Sequence, residues 1–179
     1  MLFPALAVVL VVAAVFATRA HRAAERAKGS VRMAEGRFLL AFSGLLAKMA
    51  MADGTVSADE VETVEKMFAD MGLSSAEHAM CVGNFMLVQR EGGDAKALAR
   101  ELASKFNHIA CLFLYGLILR VAQADQRITD EEEALLKDVA NELGLGEEER
   151  AEFRDGKAPV CDKKALEAAG VPTTVMRLR

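Results

Sequence analysis

The chain has 179 residues with a formal net charge of −4, and 53% of its residues are apolar. This length suits one domain with its own core, and three prolines, one tyrosine and no tryptophan favour helices over sheets. Residues 1–32 carry a local charge of +4, so the remainder sums to −8, and an acidic body without interleaved aromatic residues argues against nucleic acid as a partner.

The first 17 residues contain no charged side chain. As a helix they span roughly 26 Å, slightly less than the hydrocarbon core of about 30 Å, and flanking arginines or local thinning can make up the difference. Positive charges follow this apolar run and do not precede it, which favours an uncleaved anchor over the alternative, a signal peptide. We expect residues 1–28 to form a single transmembrane anchor with a basic juxtamembrane stretch in the inner membrane, the N-terminus outside and the body cytoplasmic.

Helical periodicity and capping residues predict seven helices after the anchor. Asp94 and Asn107 are expected N-caps, and Gly72 is expected to end the second helix. The predicted ranges are 31–52, 58–71, 75–89, 95–106, 108–124, 130–143 and 147–154. The fifth helix contains an apolar run of only eleven residues, "IACLFLYGLIL", so we expect a buried central helix there and no second membrane span. Residues 157–179 form a tail without clear periodicity.

The chain repeats itself at a constant offset of 72 residues, with segment 48–77 matching segment 120–149. The matched positions are Asp53 with Asp125, Val56 with Ile128, Ser57 with Thr129, Glu60 with Glu132, Gly72 with Gly144 and Leu73 with Leu145. Two related units of helix, aspartate turn and helix predict an all-α, duplicated helical bundle over residues 29–156.

The segment "MADGTVSADEVE" has the residue order of the second half of an EF-hand calcium loop. If its glycine is position 6, the ligand positions 1 and 3 are Met49 and Met51, so an EF-hand is not expected. The same residues predict a turn after one helix and a capping box for the next, in which Ser57 caps and Glu60 reaches back.

A second type of ion site remains open. If the two repeated turns meet, four carboxylates could hold a divalent cation: Asp53, Glu60, Asp125 and Glu132. Helix capping is the favoured role of these residues, and no other cofactor is predicted.

No activated nucleophile, phosphate-binding loop or metalloprotease motif is recognisable, so we expect a protein that is not an enzyme. His78 and Cys81 lie one helical turn apart, which is half of a zinc site, but no second pair completes it. Cys81 and Cys111 are expected to be small core residues. Methionines 49, 51, 67, 71, 80 and 86 either line an adaptable groove for a partner or, as we favour, fill the core.

The two aspartate turns, the Gly-Leu turn at 72 and 73 and the stretch "RVAQADQRITDEEEALLKDVANELGLGEEERAEF" make the chain resemble the TerB-like domain of tellurite-resistance proteins. With its N-terminal span, it resembles more closely the N-terminal half of DjlA-type membrane-anchored co-chaperones, over roughly residues 1–155. The resemblance implies a role in holding or recognising protein partners at the inner membrane, linked to a DnaK-type chaperone system or to envelope or tellurite stress. Those co-chaperones use a His-Pro-Asp tripeptide in a J domain, and no histidine of this sequence precedes a proline. Direct chaperone stimulation is therefore not expected of this chain.

Overall fold

In a computed structural model, the residues described are 35–125, 127–155, 163–169 and 171. Within them the chain forms eight α-helices and no strand, which confirms the prediction of an all-α bundle. The predicted anchor over residues 1–17 lies outside the described residues, and none of the described helices is long and apolar enough to cross a membrane. The chain divides into two compact units, Met1–Arg37 and Phe38–Arg179, and the helical body belongs to the second.

Seven of the helices lie where the sequence pattern predicts them. We label the described helices α1 (residues 35–49), α2 (Ala58–Asp70), α3 (Ser75–Glu91), α4 (Ala95–Ala103), α5 (His108–Ala122), α6 (Asp130–Glu142), α7 (Glu147–Arg154) and α8 (Lys163–Ala168). The eighth lies within the tail, where no helix was predicted. Leu166, Ala169 and Val171 are buried there, and α8 packs against α5, so contacts with the body stabilise it.

Side-chain caps determine where most of these helices begin. Ser57, Ser74 and Thr129 each accept a hydrogen bond from the backbone N–H three residues later, and the glutamate at that position accepts one from the backbone N–H of the cap. Asp94 and Asn107 cap α4 and α5 through their side-chain oxygens, as predicted. Each cap typically contributes about 1 kcal/mol.

Left-handed glycines end the two repeated helices. Gly72 follows α2 with a φ of 63°, and Gly144 follows α6 with a φ of 75°. After α6 the N–H of Leu145 donates to the carbonyl of Ala140 at 2.9 Å, while the N–H of Gly144 donates to that of Asn141 at 3.1 Å. This is a Schellman motif, in which a residue without Cβ adopts the required backbone conformation at no steric cost.

The core lies along α1 and α5. Phe42, Leu45 and Leu46 of α1 have no exposed surface, and nine of the fifteen residues of α5 are buried. Because α5 packs against α2, α4, α6 and α8, the prediction of a buried central helix is confirmed. Each fully buried aliphatic or aromatic side chain contributes about 1.5–3 kcal/mol to the free energy of unfolding. Burial along α1 and α5 is therefore a main source of stability for the bundle.

Candidate functional site

The first aspartate turn is closed by local hydrogen bonds. Oδ1 of Asp53 accepts hydrogen bonds from the backbone N–H of Thr55 at 2.8 Å and from its hydroxyl at 3.0 Å. Gly54 has the left-handed φ of 87° that the turn requires. Oε2 of Glu60 accepts from the backbone N–H of Ser57 at 2.8 Å. Both carboxylates of this turn therefore act as backbone acceptors.

The second turn reproduces the same bonds 72 residues later. Oδ1 of Asp125 accepts from the backbone N–H of Arg127 at 3.0 Å. Oε2 of Glu132 accepts from the backbone N–H of Thr129 at 2.7 Å and from its hydroxyl at 2.9 Å. The two turns thus share the backbone hydrogen bonds that their aspartates and glutamates accept.

The fold brings the two capping glutamates into electrostatic range of each other. Glu60 and Glu132 are both buried, whereas Asp53 and Asp125 are exposed. Burial raises the pKa of Glu60 above its ordinary value of 4.5, hydrogen bonds from Ser57 oppose this shift, and the negative charges of Glu132 and Asp53 add to it. Asp125 does not contribute to the pKa of Glu60.

These carboxylates do not form a metal cage. Among the described residues, no group of three or more histidine, cysteine, aspartate or glutamate side chains has a geometry that could hold a metal ion. The His78 ring lies edge-on to the ring of Phe68, with centroids 6.4 Å apart, and Cys81 is fully buried. Burial raises the pKa of the Cys81 thiol to about 11, and the charge of Glu77 adds to the shift, so the thiol remains protonated at neutral pH.

The methionines and cysteines divide between core and surface. Cys81 and Cys111 are buried, which confirms them as core residues. Met49, Met67 and Met71 are also buried, whereas Met86 is 63% exposed. Core filling therefore explains the methionines of α1 and α2, but it does not explain Met86.

The outward side of α3 is an apolar surface that was not predicted from the sequence. We call it the α3 face: Ala76, Ala79, Gly83, Met86 and Leu87, all of which are exposed. The buried residues Cys81 and Phe85 lie on the opposite side of the helix, and Leu87 is 43% exposed. A Cβ on Gly83 would meet nothing within 4 Å, so space is open above the middle of this face. In the sequence, this surface is indicated by apolar residues on all sides of α3, whereas an ordinary surface helix carries a single apolar stripe.

A second exposed leucine lies next to this face. Leu40 of α1 is 39% exposed. Its carbonyl accepts a hydrogen bond of 2.9 Å from Nδ2 of Asn84, and the same amide donates to Oγ of Ser43 at 3.0 Å. Asn84 therefore fixes α3 on α1 while the leucine side chain remains accessible.

Comparison with known proteins supports the family that the repeated turns indicate. The family model described as "Tellurite resistance protein TerB" matches residues 39–155, which is more than half of the chain. No curated protein and no solved structure gives a significant match.

Proposed function

The chain belongs to the TerB family, and from this premise we propose that it is a non-enzymatic interaction module whose helical body binds a partner protein at the inner membrane. The observation that carries this proposal is the α3 face. An exposed, continuous apolar surface on a helix is typical of protein interaction sites.

The α3 face suits a helix as its partner. Ala79 and Gly83 allow a close approach of another backbone, while Met86 and Leu87 supply apolar area beside them. Methionine adapts its unbranched side chain to different partners. An amphipathic segment that places leucine-like anchors at helical spacing into this surface is the expected ligand.

The proposal includes membrane attachment. Residues 1–17 supply an apolar segment and the basic residues after it favour a cytoplasmic body. Partners connected with a DnaK-type chaperone system or with tellurite or envelope stress are the class that the family and its DjlA-like arrangement favour.

Site-specific photo-crosslinking of the full-length chain in its membrane tests the partner surface. A photoreactive benzophenone residue in place of Met86 should give one discrete adduct with a second protein. The same residue in place of Glu131, which is exposed on α6, is the matched control and should give none. Leu87→Asp should remove the adduct without unfolding the body, because Leu87 lies on the surface. Equal crosslinking from both positions would contradict a specific surface.

Membrane fractionation tests the attachment separately. The full-length chain should remain in the membrane pellet after alkaline carbonate extraction, because an apolar span resists release. Recovery in the soluble fraction would disprove the anchor. If proteins captured by the crosslink at position 86 never include a DnaK-type chaperone, the co-chaperone connection is wrong while the interaction surface stands.

A second candidate function is divalent-cation binding by the two capping glutamates alone, since the described residues offer no group of three or more metal ligands. The observation in its favour is that Glu60 and Glu132 are both buried and that, besides burial itself, the negative charge of Glu132 adds to the raised pKa of Glu60, a repulsion that a bound cation would relieve. Calorimetric titration of the full chain with calcium, magnesium, manganese and zinc tests this function. Heat that Glu132→Gln abolishes would support it, and no heat at millimolar metal would eliminate it.

A further inference from the structure

A small cavity lies in the second half of the body. It has a volume of about 170 Å³ and is lined by residues of α5, α6 and α7. Leu119 and Leu136 form apolar parts of its wall, and Tyr115 adds an aromatic ring. Ordinary small-molecule sites measure about 300–1,000 Å³, so this cavity suits a small ion or acid better than a ligand of nucleotide size.

One charged side chain in the wall of this cavity is almost completely buried. Arg150 of α7 is 6% exposed, and its Nε has no hydrogen-bond partner among the residues that the structure describes. Its Nη2 contacts Oε2 of Glu147 at 3.3 Å, but the Glu147 side chain is 81% exposed. A guanidinium is always charged and carries five N–H donors. Within the described residues its one ion pair is this long contact with a largely solvated carboxylate.

Burial of this kind is costly unless an anion compensates for the lost hydration. A carboxylate or phosphate oxygen pair matches the guanidinium fork and can accept from two N–H groups at once. Nε and a neighbouring Nη form one edge of that fork. Nε of Arg150 is buried without an acceptor, and an oxyanion in the cavity that this side chain lines would supply one after a small shift of the guanidinium.

Two further cations line the same cavity. Lys137 of α6 has no ion-pair partner in the described part of the chain. Arg154 of α7 is already paired with Glu133, its Nη1 lying 2.8 Å from Oε1. The positive charges of Arg150 and Arg154 both act on the hydroxyl of Tyr115, where they oppose the increase in pKa that burial causes. Three cations and a tyrosine therefore line the same small cavity.

From this geometry we propose that the cavity binds a small oxyanion, phosphate-type or carboxylate, with Arg150 as its principal ligand and Lys137 as a second cation in its lining. The lining carries three cations and two carboxylates, which favours a ligand of low negative charge. The site is independent of the proposed partner surface, because it lies between α5, α6 and α7, whereas the α3 face lies on α3.

Arginine side-chain NMR of the full-length chain tests this proposal directly. Inorganic phosphate and acetate are titrated separately while the Nε–H signal of Arg150, assigned with Arg150→Lys, is followed. We expect a saturable shift of this signal and none for Arg120, which is exposed on α5. Saturation by phosphate alone identifies a phosphate-type ligand, and saturation by acetate alone identifies a carboxylate.

Variants connect the signal to the cavity. Arg150→Gln should weaken binding of the saturating anion by about tenfold or more, because it removes a charged donor. Lys137→Gln alters only an exposed side chain, so it should leave the fold intact and weaken binding by about two- to fivefold. Arg120→Gln is the matched control and should leave the affinity unchanged. The proposal is wrong if neither anion gives a saturable shift, or if Lys137→Gln and Arg120→Gln have equal effects.

Discussion

In the first half of the body, α3 is attached to α1 by polar bonds, since the amide of Asn84 donates to Leu40 and Ser43. At the corresponding place in the second half, α7 packs on α5 through an aromatic pair. Phe153 lies edge-on to Tyr115 with centroids 5.3 Å apart. A Cβ on Gly116 would meet Cε1 of Phe153 at 2.9 Å, so the glycine makes this contact possible.

The offset of 72 residues shows what differs between the halves. The capping residues correspond, but the side chains between the helices do not: Ser43 becomes Tyr115, Val61 becomes Glu133, His78 becomes Arg150 and Cys81 becomes Phe153. Caps act through the backbone of their own helix and do not depend on the neighbouring helix. The interhelical side chains face different neighbours and can therefore take on separate roles, which gives the second half its cavity.

The largest expected difference in stability between the two halves is at the matched positions Phe153 and Cys81. Phe153→Ala should lower the free energy of unfolding by about 3–5 kcal/mol, because it removes a buried ring and leaves a void. Cys81→Ala, at the matching position, removes only one sulfur atom and should cost about 1 kcal/mol. Urea unfolding of the two full-length variants measures both values. Similar losses would show that the α1–α3 and α5–α7 interfaces contribute equally to stability.

The capping residues should behave alike in both halves. Ser57→Ala and Thr129→Ala should each lower the free energy of unfolding by about 1 kcal/mol, since each leaves a helix N–H without its acceptor. Ser75→Ala, next to a cap and exposed, is the control and should change little. A loss of stability in only one of the two variants would show that the two turns are not equivalent.

The two capping glutamates give a pH-dependent comparison. The pKa of Glu60 is raised in the folded state, so the stability linked to it is present below its unfolded pKa and is lost as the pH rises through its folded pKa. The free energy of unfolding of the wild-type chain, measured relative to that of Glu60→Gln, should therefore fall as the pH rises from about 4 to about 7.

Urea unfolding across this pH range, with Glu132→Gln as a second background, measures the effect. Because the charge of Glu132 contributes to the raised pKa of Glu60, the difference should become smaller in that background. Parallel pH profiles for wild type and Glu60→Gln would contradict the linkage.

The smallest effect is expected at the rim of the cavity. Glu133→Gln removes the carboxylate that pairs with Arg154, and both side chains are about half exposed. The loss of unfolding free energy should stay below about 1 kcal/mol and should disappear at high salt, because exposed pairs are screened. A large, salt-independent loss would show that this pair is a structural part of the second half.

Much of the fold could be predicted because helix starts are encoded locally. Ser57, Asp94, Asn107 and Thr129 are each followed by a helix at the next residue, as predicted. Helix ends were predicted less well where no glycine marks them. The fourth helix was predicted to reach residue 106 but ends at Ala103, because termination there depends on how the next helix packs.

The two surfaces with proposed functions could not be predicted in the same way. Arg150 lies in the sequence "EEERAEF", whose charges predict an exposed helix, yet it is buried where Phe153 of the same helix approaches Gly116. Met86 belongs to a group of methionines whose other members mostly fill the core. Similarly, α8 has six residues, too few to show helical periodicity. In each case a contact distant in sequence decides the outcome.

The packing of α2 against α5 has a consequence for how the folded state depends on concentration. It is a contact between the two repeats, and α2 buries Val64, Met67 and Phe68. A protein with only one repeat would leave part of this apolar surface in water unless a second molecule covered it. In the duplicated chain this interface is intramolecular, so its formation does not depend on protein concentration as that of a homodimer would.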